Sequence, residues 1–172
     1  MGSSGDVTSG NRQRSGVQTV GGSGHDPRVA VWTLSKLELV VRDAWGPDTC
    51  DVADVDDWCP DNPARGQCGV TALVVRELIG GDVIRADVHR GNERVGGHYW
   101  NRLSGGADVD LTREQFDDAE VVGSGWVVDV PPGPPRRCRE QYELFRGRVL
   151  AALGITMPEA QAVKRSPSIG ED

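Results

Sequence analysis

Asn62-Pro63-Ala64-Arg65-Gly66-Gln67-Cys68-Gly69-Val70-Thr71-Ala72-Leu73-Val74-Val75 is the stretch on which the fold turns. Its first half is polar and turn-forming, and its second half is apolar at nearly every position. A loop therefore gives way to a helix at Cys68, and Gly80-Gly81 stops that helix after about Ile79. Val70, Ala72, Leu73, Val74, Val75, Leu78 and Ile79 leave almost no polar face, which predicts burial on most sides. A cysteine in the first turn of such a helix sits where the positive helix end favours an anion.

Working outward, Ser35-Lys36-Leu37-Glu38 reads as a capping box, and Leu37, Val40, Val41 and Ala44 follow at helical spacing. A first helix is expected from about 36 to 45, and a loop anchored by Trp58 from 48 to 67. Strands are expected at 83–88, 98–103 and 107–111, with His89 in a loop beside Arg90-Gly91-Asn92. Thr112-Arg113-Glu114-Gln115 reads as a second capping box, opening a short helix near 113–119. Trp126 to Val130 is a strand or an extended segment, followed by the extended connection Pro131-Pro132-Gly133-Pro134-Pro135. Tyr142, Phe145, Val149, Ala152 and Leu153 mark a last amphipathic helix. Helices preceding an antiparallel sheet make this an α+β domain.

Size and charge narrow the class. A chain of 172 residues with 37% hydrophobic content supports one packed domain with tails. Residues 1–26 are rich in Gly, Ser, Thr and Asn and are read as a disordered leader. Residues 27–155 are the domain, and 156–172 a disordered tail. The net charge of −7 offers no basic stripe for nucleic acid and no polybasic surface for an anionic membrane. No apolar run approaches the roughly 20 residues of a membrane span, and the start has no hydrophobic signal region. A cytoplasmic protein with reduced thiols follows as the expectation. Cys50, Cys59, Cys68 and Cys138 lack a C-x-x-C pattern, so no metal and no cofactor is expected.

Chemistry enters through chain order. Cys68 is followed by His98-Tyr99-Trp100-Asn101 and then by Asp108-Val109-Asp110, the order of thiol, imidazole and carboxylate in papain-like thiol enzymes. His98 is read as the base that takes the Cys68 proton and returns it to the leaving group. Which acid orients His98 depends on the hairpin register. A three-residue loop at Ser104-Gly105-Gly106 sets Trp100 opposite Asp110 and puts His98 and Asp110 on one face. A two-residue Gly105-Gly106 turn puts Asp110 on the Asn101 face instead. The first is preferred because it builds a triad; Asp108 and Asn101 are the fallback orienters. The Cys68 N–H is the first oxyanion donor, with the Gln67 side chain as a second. Trp58, Trp100 and Asn101 complete the expected substrate cleft. A buried structural cysteine, a core histidine and a solvated acidic face are the competing readings.

Gly66-Gln67-Cys68 with Thr71-Ala72-Leu73, then Gly80-Gly81, His98-Tyr99-Trp100-Asn101, and Asp110-Leu111-Thr112 with Gln115-Phe116 resemble the YunG-like family of small bacterial proteins. The resemblance covers about residues 32 to 153. That family is similar to papain-like and transglutaminase-like thiol enzymes, which implies a nucleophile helix packed on a small antiparallel sheet. It also implies Cys68 as nucleophile, His98 as base and Asp110 as orienter. The leader and Cys50, Cys59 and Cys138 depart from the pattern and leave a redox or disulfide role open. The expected activity is acyl transfer through a Cys68 thioester: a hydrolase, deamidase or amide-forming transferase. Its substrate would be a small molecule or peptide-like amide, in keeping with specialised metabolite biosynthesis. The alternative is a non-catalytic binding or regulatory module on the same scaffold. Oligomeric state is not legible.

Overall fold

A computed structural model of the chain describes residues 33–155, so the leader at 1–26 and the tail at 156–172 lie outside the described residues. Helix α1 spans Leu34–Ala44 and starts earlier than its capping-box signal suggested. Thr33, not Ser35, is the N-cap: its hydroxyl accepts the Lys36 N–H at 3.2 Å, and its carbonyl takes the first helical bond from Leu37. Helix α2 spans Cys68–Ile79 and ends at Gly80, whose φ of 76° releases the chain from the helix. Helix α3 spans Arg139–Ala152. The inward stripes of the three helices share one core, built from Leu37, Val41, Val74, Val75, Phe145 and Val149, all fully buried.

The other side of α2 faces a small antiparallel sheet of β1 (Asp82–Arg90), β2 (Glu93–Arg102), β3 (Asp108–Val109), β4 (Glu120–Val122) and β5 (Trp126–Val128). The order is β3-β2-β1-β4, with β5 also on β1. The outer edge of β1 is divided, β5 covering Val83–Arg85 and β4 covering Val88–Arg90. Among the described residues, the outer edge of β2 carries only β3, at Asn101 and Arg102. The architecture is thus α+β, helices against a small antiparallel sheet.

Three features depart from the sequence expectation. β1 and β2 are longer than their alternating patterns, because Gly91-Asn92 (Gly91 φ 60°) closes a two-residue turn that puts His89 inside β1. The helix expected at 113–119 shrinks to a 3-10 turn at Arg113–Gln115. Its capping hydroxyl, on Thr112, bonds Asp110 Oδ1 at 3.4 Å and caps nothing. Glu120–Val122, left unassigned, pairs with β1 instead. The β2–β3 hairpin adopts the three-residue loop: Leu103 N–H bonds the Ala107 carbonyl at 2.8 Å, and Asn101 faces Val109. Gly106, at φ 84°, provides the left-handed turn residue this loop needs.

Candidate functional site

Cys68 opens α2 and lines a cavity of about 460 Å³ between the helix N-terminus, the loop at Asp51–Asp54, and β2. The backbone allows this only because residue 66 is glycine. Its φ is 69°, and a Cβ there would lie 2.3 Å from the Cys50 sulfur. The first N–H groups of α2 have no helical acceptor and face this end. The Tyr99 backbone N–H, from β2, donates to the Cys68 sulfur and favours its anion. Burial acts the other way and dominates, and Asp54, Asp110 and Asp51 add to it, so the thiol is pushed up to about 11. In the resting site Cys68 is a neutral thiol.

His98 follows from β2. Its side chain is completely buried, stacked on Trp100 at 5.6 Å and edge-on to Phe116 at 4.8 Å. The hairpin register brings Asp110 to its Nε2 at 2.7 Å. Asp110 is itself held, its other oxygen accepting the Thr112 N–H at 3.2 Å. The second ring nitrogen, Nδ1, accepts from Gln115 Nε2 at 3.2 Å, and the same amide donates to the Thr112 carbonyl at 2.9 Å. With Gln115 donating to Nδ1, the neutral ring carries its proton on Nε2, toward Asp110. Both ring nitrogens are engaged by Asp110 and Gln115, while Cys68 takes its hydrogen bond from the peptide N–H one residue beyond His98.

The remaining expected site residues go elsewhere. The Gln67 carboxamide donates to the Gly46 carbonyl at 2.8 Å and accepts from the Thr49 hydroxyl at 2.9 Å. It pins the 46–49 turn to the start of α2, fully buried and away from the cavity where an oxyanion would form. Asn101 is buried and donates to the Ala72 carbonyl at 2.9 Å, tying β2 to α2. Trp58 donates to the Pro63 carbonyl at 3.1 Å within its own loop. Trp100 packs behind His98, against the backbone of Gly125. None of these four lines the Cys68 cavity.

Residues the sequence did not single out do line it. Gln115 and Phe116 connect the cavity to His98, and Gln115 was hidden by its apparent capping role. Arg65 bonds Glu120 at 3.1 Å across the floor, Arg137 pairs with Asp51, and burial pushes the Asp54 carboxyl up despite nearby Arg65. Cys138 also opens on the cavity, while Cys50 lies behind Gly66 and is pushed up to about 12, mainly by burial. Among the described residues no group of His, Cys, Asp and Glu is arranged to hold a metal ion. Among them, too, no helix is long and apolar enough to cross a membrane.

The profile of the YunG protein family matches residues 33–154, which is all but the last residue of what is described above. The chain belongs to the YunG family. It is 37% identical over 83 residues to the uncharacterized protein YunG of Bacillus subtilis (strain 168). The matched stretch is 48% of this chain and spans 63% of that bacterial relative's length. No solved structure matches the chain. Within this YunG domain, every feature just described falls inside the matched residues.

Proposed function

We propose that this YunG-family chain is a cysteine-dependent acyl-transfer enzyme, acting on an amide or peptide-like small substrate through a thioester on Cys68. The observation that carries it is a thiol at a helix N-terminus, open to a cavity, whose sulfur meets the backbone N–H of Tyr99, the residue after His98 in the buried His98–Asp110 pair. The Cys68 sulfur attacks the substrate carbonyl carbon, and a C–S bond forms. The thiol proton passes to His98 Nδ1, from which the Gln115 amide turns away. Because the resting thiol is neutral, proton removal accompanies attack instead of preceding it. The oxyanion meets the Cys68 backbone N–H and the positive end of α2. His98 then returns the proton to the leaving nitrogen as the C–N bond breaks. Water or an amine resolves the thioester, which is where hydrolase, deamidase and amide-forming transferase diverge. The fold this reading implies is papain-like or transglutaminase-like, with α2 as the nucleophile helix.

One observation favours a second reading, a binding module that keeps the scaffold without turnover. His98 is fully buried, and both its nitrogens are already partnered. An acyl-donor burst separates the two. With p-nitrophenyl acetate at neutral pH, the enzyme reading expects one equivalent of p-nitrophenol and an acetyl group on Cys68. Cys68→Ser removes the burst, and His98→Ala slows it at least tenfold. Acetylation spread evenly over exposed Cys59 and Cys68, indifferent to His98, rules out the enzyme reading.

A further inference from the structure

We infer that the substrate of this site is an extended peptide, bound as an added strand along the open edge of β2; this rests on the acyl-transfer reading above. The inference comes from backbone direction. In an antiparallel ladder alternate residues point both N–H and C=O toward the same neighbour. Leu103 donates to Ala107 on the β3 side, so odd-numbered residues of this part of β2 point outward, away from β1. Tyr99 follows, its N–H reaching the Cys68 sulfur. Gly97 follows too, and β1 confirms it independently. Its register partner Asp87 gives its carbonyl to Gly123 N–H at 2.9 Å on the far edge, so the Asp87–Gly97 pair exchanges no ladder bonds.

Gly97 N–H, Gly97 C=O and Tyr99 C=O are therefore turned to the open edge, and none has a partner among the described residues. That edge borders the Cys68 cavity, which Gly96, Gly97 and Tyr99 line. Neither glycine has a side chain to obstruct an approaching backbone, and nothing lies within 4 Å of where a Gly96 Cβ would be. Val95 is an extra residue in β2, since Val88 faces Gly96 while His89 faces Arg94. This bulge ends the usable edge, so only a short segment can dock. A peptide residue paired with Gly97 lies two positions, roughly 7 Å, from the one level with Tyr99 and Cys68. Main-chain bonds supply the affinity in such strand addition.

The test compares labelling of Cys68 by chloroacetone with labelling by acetyl-tetra-alanine chloromethyl ketone, read by intact mass and peptide mapping on the full chain. Each peptide amide is then N-methylated in turn. Strand addition expects the peptide to label at least tenfold faster than chloroacetone. It also expects losses of roughly 3- to 10-fold at alternate amides only, since a neutral hydrogen bond is worth about 1 kcal/mol. Equal losses at every position, or no gain over chloroacetone while the His98-dependent acetyl burst persists, overturns the docking and leaves the thiol chemistry standing. If chloroacetone itself ignores Cys68 in favour of Cys59 and the burst is absent, the acyl-transfer reading fails and takes this inference with it.

Discussion

The two halves of the site each contain a buried glutamine, and the two do opposite work. In the thiol half, Gln67 precedes Cys68 in the chain yet turns away from the cavity, its amide spent on Gly46 and Thr49. In the imidazole half, Gln115 comes from a distant turn, lines the cavity and holds His98 Nδ1. The thiol half is thus positioned by backbone constraints and kept uncharged by burial. The imidazole half is a side-chain network in which Asp110, His98, Gln115 and Thr112 satisfy one another. The contrast teaches that the residue beside a nucleophile in sequence can be scaffolding, while its polar partner arrives through tertiary structure.

The contrast breaks most visibly in stability. Gln67→Leu removes the two buried hydrogen bonds that tie the 46–49 turn to the start of α2, leaving Gly46 and Thr49 bonded to each other, and is expected to cost about 3 kcal/mol in urea unfolding. At temperatures where the variant stays folded, Cys68 alkylation should match wild type. A Gln67 variant of normal stability but altered thiol reactivity would return Gln67 to the site. Asp110→Asn comes next, at about 2 kcal/mol. With Thr112 N–H still claiming one oxygen, the new amide N–H₂ faces the Nε2 proton. Moving that proton to Nδ1 only collides with Gln115. Nitrogen NMR of the ring should show the Nε2–H form in wild type and a disturbed mixture in the variant; an unchanged spectrum would mean the pair is not coupled as described. Gln115→Leu is milder, about 1.5 kcal/mol: it removes the bonds to His98 and to the Thr112 carbonyl, which keeps the Gln115 backbone N–H, and it frees Nδ1. Cys68 alkylation at neutral pH should then rise several-fold. A fall would show that Gln115 assists the thiol and does not restrain the base.

Much of this was readable in the chain, for local reasons. The apolar run after Cys68 and the Gly80 stop define α2 because helix periodicity and capping involve near neighbours. The His98–Asp110 partnership was readable only conditionally. Gly105-Gly106 suits either loop length, and the choice is made by the Leu103–Ala107 pairing and the positive φ of Gly106. Gln67 misled because its partners lie 18 and 21 residues away, beyond any local pattern. Thr112-x-x-Gln115 misled differently: it satisfies the capping template, but Asp110 claims the hydroxyl and His98 the amide. The first half of β2 escaped notice because Gly96-Gly97 interrupts the alternation that marks a strand, though the same glycines leave its edge open to the cavity.

The smallest expected effect sharpens the thiol half alone. Cys68 and Cys50 are both raised, to about 11 and about 12, mainly by burial, whereas in the unfolded chain a thiol titrates near about 8.5. A group whose folded value is raised contributes stability that is complete below the unfolded value and is lost as pH climbs toward the folded one. Between pH 7 and 9 the unfolded chain releases thiol protons that the folded chain retains, so each of the two costs about 0.8 kcal/mol by pH 9. Cys50→Ser removes one of these contributions, and its stability should decline less steeply over that interval, by about that amount, than wild type. Comparing slopes cancels the cost of the substitution itself, as well as the titration of Cys59 and the lysines common to both proteins. Parallel slopes would mean Cys50 ionises as easily folded as unfolded. The space behind Gly66 would then be wetter than the packing implies, and the thiol half would owe its neutrality to something other than burial.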